Sequence, residues 1–166
     1  MIPPGASPST YEPTPRQMAD LSNSSLYLRI GHVQFEEVWM DRITHNQPEL
    51  TIYDVSRDIN LIETDEHHHG HKGHHHGTTD PHIWMSPRNG LKIAENSYRY
   101  LLGTFPADST QFRKNFKRLK NDINSLISDY QKSAEQLKNL HFLIYHPALT
   151  YLAEDFGMHQ HVLEQE

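Results

Sequence analysis

Short apolar runs alternate along the chain with segments whose apolar residues recur every three or four positions, and this alternation lays out the elements. Thr14 is a good N-cap, Pro15 suits a first helical position and Gln17 stands three residues after the cap, which predicts a helix from about 15 to 22. Leu26-Tyr27-Leu28-Arg29-Ile30 reads as a buried strand closed by Gly31 and His32. Phe35, Val38, Trp39, Arg42 and Ile43 fall at helical spacing to about 44, and Thr51-Ile52-Tyr53-Asp54-Val55 is the next strand. Strands and helices in this alternation predict right-handed crossovers and a parallel sheet.

The second half begins with Ser86 as a cap and Pro87 as a first helical residue. Leu91, Ala94, Tyr98, Leu101 and Leu102 then form one apolar face before Gly103, which is expected to end the helix. After Pro106, the residues Phe112, Phe116, Leu119, Ile123, Leu126, Tyr130, Ala134 and Leu137 recur at spacings of four and three without Pro or Gly. A helix from about 107 to 138 would be about 48 Å long, and it is expected to lie across two lobes. Its excess of Lys and Arg reads as a solvated face. Phe142-Leu143-Ile144-Tyr145 reads as a strand, His146-Pro147 as the start of a helix running to about Phe156 and ended by Gly157, and His161-Val162-Leu163 as one more strand. The expected fold class is α/β. An N-terminal lobe with a parallel sheet flanked by helices occupies 1–105, a long linking helix 106–139, and the start of a second α/β lobe 140–166.

Two stretches stand outside this pattern. Residues 1–13 are rich in Pro and Gly and read as an extended loop. From Glu63 to Thr79 there is no aliphatic or aromatic side chain, and His67, His68, His69, His71, His74, His75 and His76 are interspersed with Gly70, Gly73 and Gly77. Such a segment cannot order itself by burial and is expected to be a disordered loop. Hydrophobic residues accordingly make up only 36% of the 166-residue chain.

Charge changes the picture by exclusion. Fifteen Lys and Arg against 21 Asp and Glu give a net charge of −6, which disfavours nucleic acid or an anionic lipid surface as partner. No apolar run reaches the roughly 18 residues of a membrane span, and the start has neither a basic region nor an apolar core of an export signal. The absence of cysteine excludes disulfides and thiolate metal sites.

The unusual count is 14 histidines. His32 follows a strand, His82 precedes a helix cap and His146 lies between a strand and a helix. In an open parallel sheet the ligand crevice lies outside the carboxyl ends of the strands, so these three are candidate metal ligands there. Three imidazoles suit Zn²⁺, which takes nitrogen ligands at about 2.0–2.1 Å in a tetrahedral shell. The histidine tract adds an auxiliary set of donors for borderline-soft cations. Enzyme motifs such as HExxH, GxSxG and the phosphate-binding loop are missing, and Glu36-Glu37 and Asp54 with Asp58 read as surface or capping acids. A binding protein rather than an enzyme is therefore expected. The alternatives are a zinc hydrolase, which would need a general base beside a metal-bound water, and a metal storage or chaperone protein working through the tract.

The segment Pro3-Pro4-Gly5-Ala6-Ser7-Pro8-Ser9-Thr10-Tyr11-Glu12-Pro13-Thr14-Pro15, the histidine-rich loop, Asp80-Pro81-His82-Ile83-Trp84-Met85-Ser86-Pro87 and Tyr145-His146-Pro147-Ala148 occur in this order. Together with the long helix they resemble the zinc-specific solute-binding proteins of ATP-binding-cassette metal importers. The resemblance implies a periplasmic or lipid-anchored receptor of two α/β lobes that holds Zn²⁺ rather than Mn²⁺ in its cleft and delivers it to a membrane permease. His82 and His146 match two of the family's metal-binding histidines. The family's third histidine falls at Ser9, a poor zinc ligand, which leaves His32 as the nearest candidate on topological grounds and Glu12 as a second. The family chain is longer, so the sequence is expected to start inside the loop after a first strand and to stop as the second lobe begins, with the export signal upstream. A further, usually carboxylate, ligand would come from that second lobe. The half of the long helix around Leu126, Tyr130, Ala134 and Leu137 should then be left exposed, as should the strand at His161-Val162-Leu163.

Overall fold

Residues 2–5, 11–64 and 78–163 are described in a computed structural model of the chain, which divides into two units, Met1–Arg57 and Asp58–Glu166. In the first unit the capping box at the start of helix α1 (Pro15–Ser22) forms as expected: Thr14 Oγ1 accepts from the Gln17 backbone N–H, and Gln17 Oε1 accepts from the Thr14 N–H. Strand β1 (Leu26–Arg29), helix α2 (Gln34–Asn46) and strand β2 (Thr51–Asp54) follow. β1 and β2 pair in parallel, with Leu26 opposite Thr51 and Arg29 opposite Asp54, so α2 is the crossover. Leu21, Met40, Ile43 and Leu50 form the buried cluster, with Met18, Tyr27, Trp39 and Ile52 packed against it.

The turn from β1 into α2 depends on two residues. Gly31 has φ of +86°, and a Cβ there would lie 2.6 Å from Asp54 Oδ2, so glycine is required both by backbone and by space. Glu36, in the first turn of α2, is buried, which removes the surface alternative from the expected surface or capping acid. Its carboxylate accepts from the Gly31 N–H at 2.6 Å, the Ile30 N–H at 3.2 Å and the Tyr27 hydroxyl at 3.3 Å. No side chain caps α2 at Val33, so this acid both satisfies loop donors and sits favourably at the helix N-terminus.

The second unit opens with a short antiparallel pair, β3 (Glu63–Thr64) and β4 (Thr78–Thr79). The ends of the stretch expected to be wholly unordered thus pair with each other, because backbone hydrogen bonds need no apolar side chain. The histidines of the tract lie outside the described residues. A 3₁₀ turn at Ile83–Met85 leads into α3 (Pro87–Thr104), capped by the Ser86 hydroxyl, which accepts from the Asn89 N–H. Gly103 does not end this helix. The chain turns at Phe105, immediately before Pro106, because proline disfavours helical backbone in the residue before it.

A second 3₁₀ turn, Pro106–Asp108, precedes α4 (Ser109–Gln136), which is about 42 Å long at the usual helical rise. α4 packs antiparallel-fashion on α3 through the stacked rings of Tyr98 and Phe116, 4.4 Å apart, and an ion pair of 2.9 Å between Lys120 and Glu95. α3 and α4 belong to one unit. Farther along, Tyr130 stacks on Phe156. Leu126, Tyr130 and Leu137 are exposed.

β5 (His141–Ile144), α5 (Thr150–Phe156) and β6 (His159–Val162) complete the unit. β5 and β6 pair in parallel, His141 opposite His159 and Ile144 opposite Val162, with α5 as their crossover. α5 starts at Thr150, not at His146, and ends at Gly157 in the left-handed conformation, φ +65°. Tyr151, Ala153 and Phe156 on α5 and Ile83 on the 3₁₀ turn are buried. The architecture is the expected α/β class.

Candidate metal centre

His82 and His146, 64 residues apart in sequence, are brought together in the second unit with their Nε2 atoms 3.4 Å apart. Their rings meet edge to face at 5.1 Å between centroids. Each is held by local chain geometry and then by α5.

His82 stands at the start of the 3₁₀ turn whose Ile83 is fully buried. Asp80, only 2% exposed, accepts through Oδ1 from the His82 backbone N–H at 2.9 Å and from His82 Nδ1 at 2.8 Å. A carboxylate can only accept, so Nδ1 carries the proton and Nε2 presents its lone pair. Burial by itself raises the Asp80 carboxyl. The hydrogen bonds from the His82 ring and backbone outweigh burial and hold it below its ordinary value. Asp80 Oδ2 is buried with no hydrogen-bond partner that meets the geometric limits among the described residues, and the nearby Thr150 side chain adds to the two His82 bonds in lowering the carboxyl. The Trp84 ring meets the imidazole at its edge, 5.6 Å between centroids.

α5 ties this loop to the segment bearing His146. The Tyr151 hydroxyl donates to the Asp80 carbonyl at 2.8 Å and accepts from the Ile62 N–H at 3.1 Å. Asp155 accepts from the Ser86 hydroxyl at 2.5 Å. His146 lies between β5 and α5, in a turn where the Ala148 N–H donates to its carbonyl at 2.7 Å, and its side chain is exposed. One helix therefore fixes both ends of the imidazole pair.

Two nitrogens bound at about 2.05 Å to one tetrahedral ion stand about 3.3–3.4 Å apart. The Nε2 atoms of His82 and His146 already have that separation. His32 lies in the first unit, where its Nε2 is 3.2 Å from the Ser56 hydroxyl. Ser56 in turn is held by Asp54, so this imidazole has a polar partner of its own. Among the described residues no group of three or more His, Asp or Glu side chains stands ready to hold a metal. Ser9 and the auxiliary tract His67, His68, His69, His71, His74, His75 and His76 lie outside the described residues, and Glu12 is exposed.

Sequence reasoning placed His82 and His146 at the right ends of their elements but gave Asp80 and Tyr151 no role. An acid two residues before a histidine, with proline between, was the available signal for Asp80. Nothing local distinguishes Tyr151 from any other apolar helix residue.

Fold and pair define the class: an α/β protein with parallel strand pairs, a long helix and two imidazoles converging beside a strand end. The chain belongs to the ZnuA family, described as zinc-uptake complex component A, periplasmic, which matches residues 1–166. It is 28% identical over 163 residues to the zinc-binding lipoprotein AdcA of Streptococcus pneumoniae (strain ATCC BAA-255 / R6), covering 94% of this chain and 32% of that protein. It is 27% identical over 166 residues to the high-affinity zinc uptake system protein ZnuA of Bacillus subtilis (strain 168), covering 96% of this chain and 51% of that protein. The chain thus spans about a third to a half of the length of these curated relatives. A crystal structure of ZnuA matches with a TM-score of 0.86 at 26% identity, over 99% of this chain and 60% of that one. These relatives are named as zinc-binding or zinc-uptake proteins and not as enzymes.

Proposed function

We propose that this chain binds Zn²⁺ through Nε2 of His82 and of His146 and serves zinc uptake, with the ion as its cargo. The observation that carries this reading is the 3.4 Å separation of the two Nε2 atoms, with the His82 tautomer fixed by Asp80. Two imidazoles occupy half of a tetrahedral shell. His32 is put forward as a further nitrogen ligand in place of the residue at Ser9, and the histidine tract as a collector of additional ions. The family description, a periplasmic component of a zinc-uptake complex, and the relatives' names, a zinc-binding lipoprotein and a zinc uptake system protein, support a location outside the cytoplasmic membrane, and the proposed recipient is an ATP-binding-cassette permease. Among the described residues no helix is long and apolar enough to cross a membrane, which fits delivery to a separate permease.

Competition with a chromophoric zinc chelator tests the assignment. His82→Ala and His146→Ala should each weaken the tightest site by tenfold or more, and the double variant should lose it. His32→Ala is measured separately; an affinity equal to that of the parent would remove His32 from the ligand set without touching the pair. Retention of the tight site in the double variant would overturn the reading.

A further inference from the structure

A second group of histidines lies on the parallel pair β5–β6. Register and strand period place it there. His141 opens β5 and is the partner of His159, which opens β6. His161 is two residues farther on, so it projects from the same face as His159. All three side chains are exposed. His141 Nδ1 lies 2.8 Å from His161 Nε2, and the His141 ring stacks with those of His159 and His161 at 4.6 and 5.1 Å between centroids. They line an open cleft of about 510 Å³ that Glu154 and Met158 also border.

We propose that His141, His159 and His161 form a second site for a borderline divalent cation such as Zn²⁺, distinct from the His82–His146 pair. The ion would take the place of the proton now held between His141 and His161. In the metal-free state one of these two nitrogens donates and the other accepts, so one lone pair is masked. Metal binding needs both lone pairs. The donor ring therefore moves its proton to its other nitrogen through solvent, a tautomer change with no net proton released from neutral imidazole. The 2.8 Å separation is a hydrogen-bond distance, about half an ångström short of the edge of a tetrahedral zinc shell. As they stand the three stacked rings do not converge on one ion, so binding turns these exposed side chains until one nitrogen of each faces the cleft, a rotamer motion of picoseconds to nanoseconds.

The backbone supplies the larger part of the assembly. Parallel pairing fixes His141 beside His159, and the strand repeat fixes His161 beside both, so only side-chain rotations remain to be ordered on binding. Three neutral nitrogen donors suit zinc, copper or nickel better than calcium or magnesium, which prefer oxygen. Among the described residues no carboxylate is hydrogen-bonded to these rings as Asp80 is to His82, so the site is the weaker of the two and exchanges its ion more readily.

The test uses the full chain labelled with ¹⁵N and titrated with zinc chloride, following the ring nitrogens of each histidine by long-range ¹H–¹⁵N correlation. The expected result is that one ring nitrogen each of His141, His159 and His161 moves to a metal-bound shift, in a step later than the response of His82 and His146. His141→Gln/His161→Gln should remove one zinc equivalent in equilibrium dialysis, with backbone amide spectra confirming an intact β5–β6 pair. His82→Ala/His146→Ala should leave the response of the three rings unchanged, which separates this proposal from the one above. Rings unmoved by several equivalents of zinc in the parent chain would overturn it, and that measurement does not depend on the folding of any variant.

Discussion

The carboxylate of Asp80 holds His82 twice through a single oxygen, taking the backbone N–H at 2.9 Å and the ring Nδ1–H at 2.8 Å. Backbone and imidazole are therefore oriented by the same atom, and Nε2 is aimed at His146. Removing the acceptor with Asp80→Ala should lower zinc affinity by about 10–100-fold, the usual effect of losing a histidine's supporting carboxylate. Asp80→Asn, which keeps an acceptor oxygen, should lose less. Chelator competition measures both, and equal affinity in all three proteins would show that the carboxylate does not prepare the ligand.

Tyr151 joins two otherwise separate loops through one hydroxyl, donating to the Asp80 carbonyl and accepting from the Ile62 N–H. Tyr151→Phe leaves both backbone groups without this partner and should cost about 1–3 kcal/mol of stability. Burial raises the hydroxyl's pKa against the opposing Ile62 bond, and the charges of Asp80 and Glu154 add to the rise. The stabilisation is thus fully present below the ordinary tyrosine value of about 10 and is lost as pH rises through the higher folded value. Urea titrations of parent and Tyr151→Phe should show the same difference between them at neutral pH and at about pH 8.5, and a smaller one once the pH passes about 10.

Glu36 accepts three donors in the first unit, two of them loop amides. Glu36→Ala should destabilise that unit by about 1 kcal/mol, because two half-buried amides lose their acceptor. Tyr27 is pushed well above the ordinary tyrosine range by burial first and by the Glu36 carboxylate beside it second. In an alkaline ultraviolet titration it should ionise only after the ordinary tyrosine range has been passed, and Glu36→Gln should bring it down. A Tyr27 that titrated with the exposed tyrosines would contradict the structure.

The hydrogen bond from Lys120 lowers the Glu95 carboxyl, with burial opposing and the charge of Lys120 adding. A depressed carboxylate contributes stability above its unfolded value of about 4.3, and the contribution is lost as pH falls through the lower folded value. Both side chains are partly exposed, so screening keeps the effect below about 1 kcal/mol. Lys120→Met should shift the acid-unfolding midpoint slightly upward, with a stability loss that shrinks as pH falls below the ordinary carboxyl range. A loss as large at pH 3 as at pH 7 would mean that Lys120 acts through packing alone.

What the sequence determined by itself is whatever a few neighbouring residues decide. Thr14 with Gln17 and Ser86 with Pro87 start helices where they stand, and Gly157 ends one, because caps and left-handed stops act within a turn of chain. The three-and-four spacing from Phe112 to Tyr130 likewise forms the long helix, and the placing of His146 after a strand and of His82 before a helix cap follows from the order of elements. Local signals misled where a neighbour in space competed. Gly103 is only a weak stop, and the helix continues to the residue that Pro106 restricts. Glu36 reads as a surface or capping acid by its charge, and only the folded β1–α2 turn decides between the two by pointing amides at it. Tertiary structure alone decided the distances on which chemistry depends. The 3.4 Å between His82 and His146 is set by Tyr151 and Asp155 on α5, across sequence separations no periodicity records. The meeting of His141 with His159 and His161 is set by parallel register, since a slip of one residue would turn His159 and His161 to the opposite face of the sheet.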